Sequence, residues 1–209
     1  TGGDNHSALL RNGNKQLKKE ILMEQTNQAY LGLRQALETA ANAMDPEIRA
    51  HSLRTGQRME TILKEMDRQD LLDLWNWGDL SPLNYHDMGK LPKEYGTGHA
   101  EAGELFFKHL HQLFYKISGQ AGIFTSIAAD ICRYHHDHYG QCQLKTAQGR
   151  DIPLAGRICA VANVWDHLAL DGLKPRQILA RLESQSGQYD PEIIAALRRF
   201  YERHGTLER

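Results

Sequence analysis

The sequence predicts an all-α fold. Apolar residues recur at helical spacing through most of the 209 residues, prolines fall where helices begin, and no convincing strand alternation exceeds four residues. From His6 to Ala43 there is no proline, and Met23, Tyr30, Leu37 and Met44 recur every seven residues with Leu33 and Ala40 between them. One long amphipathic helix is therefore expected within residues 1–43, after a frayed end at 1–5. It either lies on the domain core or forms a coiled-coil stalk that pairs two subunits and joins an upstream sensor or receiver domain. Residues 44–209 form the domain proper. Asp45-Pro46-Glu47 starts its first helix, because proline suits the first turn and the preceding Asp can cap it. That helix is expected to run to about Asp73 on Ile48, Leu53, Met59, Ile62, Leu63 and Met66, with Gly56 marking a close approach. Further helices are expected over 81–88, 99–117, 121–136, 153–170, 174–185 and 190–203, and 138–151 is the longest loop.

Composition narrows the function. With 25 Lys+Arg against 26 Asp+Glu, the chain has no overall field that favours DNA or a membrane surface, so an anionic substrate must be held locally. No run of about 18 apolar residues and no leader pattern is present, and a soluble cytoplasmic protein is the expectation. Cys132, Cys142 and Cys159 lack C-x-x-C spacing and are read as reduced thiols rather than a disulfide or thiolate zinc set. The 11 histidines are in excess, several of them beside acidic residues.

Glu47 and His51 are four apart, which stacks them on one helix face where they can share a metal or simply meet at the surface. His86-Asp87-Met88-Gly89-Lys90 is a stronger pattern. Imidazole and carboxylate both suit first-row divalent ions, adjacent placement lets both reach one ion from a bent helix end, Gly89 supplies the bend, and Lys90 can meet a phosphate. His99 opens a helix, and His135-His136-Asp137-His138 closes another, with Ile131 and Tyr134 arguing that its end is packed. His109, His111, His167 and His204 lack such company and read as surface or satisfied core residues.

These segments, with Ile152-Pro153-Leu154-Ala155-Gly156-Arg157 through Val161-Ala162-Asn163-Val164-Trp165-Asp166 and Gln188-Tyr189-Asp190-Pro191-Glu192-Ile193-Ile194, resemble the HD-GYP family of bacterial cyclic di-GMP phosphodiesterases over about residues 44–203. The resemblance implies an HD-domain helical bundle. It implies metal ligands at Glu47, His51, His86, Asp87, His99, His135 and His136, with Asn163 standing where the family carries the Asp of V-A-D. It also implies two or more divalent ions, iron or manganese, and metal-assisted hydrolysis of a cyclic dinucleotide, with Asp87 and Lys90 catalytic and Lys90 on the substrate phosphate. Arg133 and Lys145 lie near the proposed site in sequence and read either as contacts for a second phosphate or as solvated surface charges.

Three features depart from the family pattern. The amide of Asn163 is a weaker ligand than a carboxylate, which bears on metal affinity and number. His135-His136-Asp137-His138-Tyr139-Gly140-Gln141 replaces H-H-E-x-x-D-G-x-G-Y-P, which bears on substrate recognition. His99 follows His86 by only 13 positions, from 86 to 99, so a lid-like element is expected to be missing. Besides an active phosphodiesterase, two readings stand: a catalytically degenerate module that binds metal or nucleotide and signals to a partner, and an HD hydrolase of another phosphorylated nucleotide.

Overall fold

The computed structural model describes residues 3–90, 98–140, 147–185 and 187–204, with side chains from residue 15 onward. Eight α-helices lie among these residues: α1 (Gly3–Ala43), α2 (Pro46–Glu65), α3 (Gln69–Trp75), α4 (His99–Phe114), α5 (Gly119–Tyr134), α6 (Leu154–Leu170), α7 (Pro175–Ser184) and α8 (Pro191–Arg203). The all-α class holds: the described residues contain no strand, only the isolated bridge between Trp77 and Leu80. None of the helices is long and apolar enough to cross a membrane.

Two apolar cores are packed side by side. In one, Met59, Ile62 and Leu63 of α2 meet Ile158, Val161 and Ala162 of α6, closed by Leu179 of α7 and Leu197 of α8. In the other, Leu33 and Leu37 of α1 meet Phe107 of α4 and Phe124 and Ala128 of α5. Helix α5 belongs to both, giving Ile131 to the first and the adjacent Cys132 to the second. The C-terminal half of α1 therefore lies on the domain, whereas Leu17, Ile21, Leu22 and Met23 are about half exposed or more. Cys132 and Cys159 are buried free thiols, as read from the sequence, and Cys142 lies outside the described residues.

The structure corrects two expected helices. The stretch to Asp73 is broken after Glu65: Asp67 adopts φ 57°, and the Arg68 amide reaches back to the Leu63 carbonyl at 2.9 Å. This is a left-handed helix terminator, carried here by Asp rather than the usual Gly. Residues 81–88 are not an α-helix either. Two 3-10 turns, Pro82–Asn84 and Met88–Lys90, flank Tyr85-His86-Asp87, so His86 and Asp87 project from a tight turn.

Close backbone approaches hold that turn in place. A Cβ on Gly56 would sit 3.0 Å from the Leu83 carbonyl oxygen, bearing out the expected close packing of α2. A Cβ on Gly89 would sit 1.9 Å from the His99 carbonyl oxygen and 2.6 Å from the Gly103 nitrogen. Gly89 thus serves to let the turn press against the start of α4 rather than to bend a helix, and Gly103 accepts it from the other side. Gly89→Ala is expected to destabilise the fold by about 1–3 kcal/mol through overpacking against backbone that cannot rotate away. Gly98→Ala, with open space around it, is the control. Urea denaturation of both variants is the measurement, and equal midpoints would contradict this account of Gly89.

Candidate metal centre

The helix ends and the turn converge where the two cores meet. His51 comes from α2, His86 and Asp87 from the turn, His99 from the first residue of α4 and His135 from the residue after α5. All five are buried, with His86 at 0% and Asp87 at 1% exposure. His136, beside them, stands at the mouth of a cavity of about 530 Å³ that Lys90, Asp137, His138, Asn163, Gln188 and Tyr189 also line.

Two ligand triads result. The Nε2 atoms of His99 and His135 lie 3.1 Å apart, and those of His99 and His136 lie 3.0 Å apart. His51, His86 and Asp87 form the second triad; within each, one donor atom per residue lies within 4.8 Å of the others. Asp87 joins the two. Its Oδ1 is 3.4 Å from His99 Nε2 and 3.7 Å from His135 Nε2, while its Oδ2 is 3.4 Å from His86 Nε2 and 2.8 Å from Lys90 Nζ.

The donor atoms fit divalent ions. Both ring nitrogens of His86 and Oδ1 of Asp87 are buried without a hydrogen-bond partner among the described residues. Each such atom costs roughly 1–3 kcal/mol unless something binds it, and a cation does. His135 donates Nδ1–H to the Cys132 carbonyl at 2.8 Å, which leaves its Nε2 lone pair directed at the cluster. The set is all nitrogen and oxygen, as borderline first-row ions prefer.

Around His51 stands a support that the sequence reading did not single out. Its Nδ1 lies 2.8 Å from Asp166 Oδ2, and fully buried Asp166 also takes Arg54 at 3.1 Å and Arg58 at 3.0 Å. A carboxylate behind an imidazole fixes which nitrogen faces the metal. The signal was present: His51, Arg54 and Arg58 share one helical face, and Asp166 lies one turn after Asn163. Asn163 Oδ1 is 2.9 Å from His51 Nε2. Asn163 thus occupies the ring nitrogen that Asp166 leaves open, the one a metal would use.

The remaining candidates are placed differently. Glu47 is exposed and belongs to neither triad, although it lines a second cavity with His51. Arg133 is engaged by Glu101 at 2.9 Å and Glu104 at 3.3 Å and is not among the residues that line these two cavities. Lys145 lies outside the described residues, as does the segment after Lys90 where a lid was expected to be missing. His111 contacts Thr125 Oγ1 at 3.0 Å and His204 the Phe200 carbonyl at 2.8 Å, as satisfied histidines should. His167 instead lines the second cavity.

Burial sets the protonation of the site. It pushes His86 and His136 below their ordinary value and His135 well below it, with the neighbouring imidazoles adding to the effect. Burial works against the Asp87 carboxylate, but contact with His86 and the ammonium of Lys90 holds its carboxyl far below the usual range. Burial thus favours the neutral imidazole at His86, His135 and His136, beside an ionised Asp87 carboxylate, the forms in which such groups bind a cation. Because these histidines titrate lower when folded, the unfolded chain binds more protons once the pH drops below about 6.5. Stability is full above that value and is lost as pH falls through it; the Asp87 shift acts only at far lower pH. The melting temperature of chelator-treated protein should therefore fall from pH 7 to pH 5, and less steeply in His135→Gln. A pH-independent melting temperature would contradict buried neutral imidazoles.

No family model matches the chain. A probable cyclic di-GMP phosphodiesterase of Vibrio cholerae is 27% identical over 222 residues, covering 90% of this chain and 48% of that protein. A 3'3'-cGAMP-specific phosphodiesterase 2 of the same organism is 28% identical over 130 residues, covering 56% of this chain and 24% of that protein. The chain spans about half the length of the first of these relatives and about a quarter of the second. The chain is thus similar to two phosphodiesterases of cyclic dinucleotides at modest identity, in line with the motifs that resemble the HD-GYP family.

Proposed function

We propose that the chain is a metal-dependent phosphodiesterase that opens cyclic di-GMP or a related cyclic dinucleotide. The observation that carries this reading is Asp87, buried between two imidazole clusters and paired with a lysine that faces a cavity. The names of the relatives supply the substrate class. Divalent ions, iron or manganese, would be held by His99, His135 and His136 on one side and by His51 and His86 on the other, with Asp87 between. When bound they supply Lewis acidity and an activated water.

The chain's own residues do the rest. Lys90 is about one-third exposed and brings its ammonium to the cavity wall, where it meets a non-bridging phosphate oxygen and offsets the charge that grows there. Asp87 anchors that ammonium. Asp166 and the Cys132 carbonyl hold two of the imidazoles in the orientation that faces the cluster. Asp137, His138, Gln188 and Tyr189 line the same cavity, and the Tyr139 amide donates to the Gln188 carbonyl at 2.8 Å, which docks the altered segment onto the 187–190 turn.

One observation favours the rival reading, a weakened module that binds metal or nucleotide and signals to a partner. The Asn163 amide engages His51, lowering the affinity of the second triad for a cation. Purified chain supplied with Mn(II) or anaerobic Fe(II) should convert cyclic di-GMP to linear product, and Lys90→Ala should lower kcat by about 100-fold. Asn163→Asp should raise bound metal per chain and turnover together. Absence of linear product with either metal would overturn the phosphodiesterase reading, and an unchanged metal count in Asn163→Asp would contradict the role given to the amide.

A further inference from the structure

A second cavity, of about 480 Å³, is lined by Asp87 and Lys90 together with Ile48, His51, Arg54, His167 and others. Lys90 lines both this cavity and the one at His136. A ligand whose phosphate sits on Lys90 can therefore extend in two directions, and the two spaces are of similar size.

The chemistry of the second space is specific. The His167 ring lies 4.4 Å from the His51 ring, centroid to centroid, at an interplanar angle of 33°. His51 cannot swing, because Asp166 and Asn163 hold its two nitrogens. His167 therefore leans on a fixed ring while remaining exposed itself. Leu170, 62% exposed, and Ile48 add apolar surface to the same cavity. Arg54, anchored on Asp166 with its side chain 37% exposed, adds a guanidinium. A flat stacking ring, apolar surface and a cation beside a phosphate-binding lysine together describe a nucleotide subsite, since bases stack on histidine as on other aromatic rings.

We infer that this second cavity seats the nucleoside portion of the dinucleotide lying beyond the phosphate at Lys90, with His167 as its stacking surface. The inference rests on reading the centre as one that takes cyclic dinucleotides, and it gives His167 a role in affinity rather than in chemistry. It also accounts for a histidine that neither triad among the described residues uses.

Isothermal titration of cyclic di-GMP into the manganese-loaded chain tests it. His167→Ala should raise the dissociation constant by on the order of tenfold, the effect of losing one base stack. His167→Phe, which keeps a flat ring and loses the imidazole nitrogens, should restore most of the affinity, and bound manganese per chain should be the same in all three proteins. Equal affinity of wild type and His167→Ala would overturn the inference, as would loss of manganese from His167→Phe, because the residue would then be a ligand. Absence of any dinucleotide binding by the wild-type chain would overturn it too. Binding that depends on His167 without release of linear product would contradict the proposed activity and leave this subsite standing.

Discussion

A single buried carboxylate organises the site. Asp87 is almost wholly removed from water, and its two oxygens face different neighbours: His99 and His135 on one side, His86 and Lys90 on the other. Burying a lone carboxylate is costly unless opposite charge answers it. One ammonium answers part of that cost. Oδ1 and the His86 nitrogens make no hydrogen bond among the described residues and mark where further positive charge belongs.

The rest of the fold places that carboxylate. It stands on a turn too tight to be helical, pressed onto the first residue of α4 by a contact that only glycine permits at position 89. The two apolar cores meet along α5, whose C-terminal end delivers His135 and His136 to the same point. On the opposite side, α2 and α6 pack to bring His51 against Asn163 and Asp166. Donors separated by more than 80 positions in sequence become neighbours because each sits at the end of a packed element or on its buried face. The support is rigid, with two guanidiniums on Asp166 and one of them, Arg58, also lying 4.6 Å over the Trp165 ring.

Much of this was legible in the sequence. Helical periodicity and Asp-Pro starts mark α2 and α8 because the physics is local: Asp45 and Asp190 each accept the amide two residues on. The site histidines were legible as clustered polar residues beside apolar ones. What escaped depends on tertiary contact. The end of α2 differs from the expectation because Asp67 supplies a left-handed turn without glycine, and the helix expected over 81–88 is a pair of 3-10 turns because their i to i+3 hydrogen bonds depend on packing. The carboxylates of Glu101 and Glu104 reach Arg133 only through the packing of α4 against α5. His167 has no acidic neighbour except Asp166, and only the approach of α2 to α6 reveals that it shares a cavity with His51.

Titration of Mn(II) into chelator-treated protein, monitored by calorimetry for the wild type and for Asp87→Ala, probes the link between the two triads most directly. The account predicts saturable binding by the wild type and its loss from both triads at once when the shared carboxylate is removed, in a protein whose far-ultraviolet dichroism stays helical. Undiminished manganese binding by folded Asp87→Ala would contradict it.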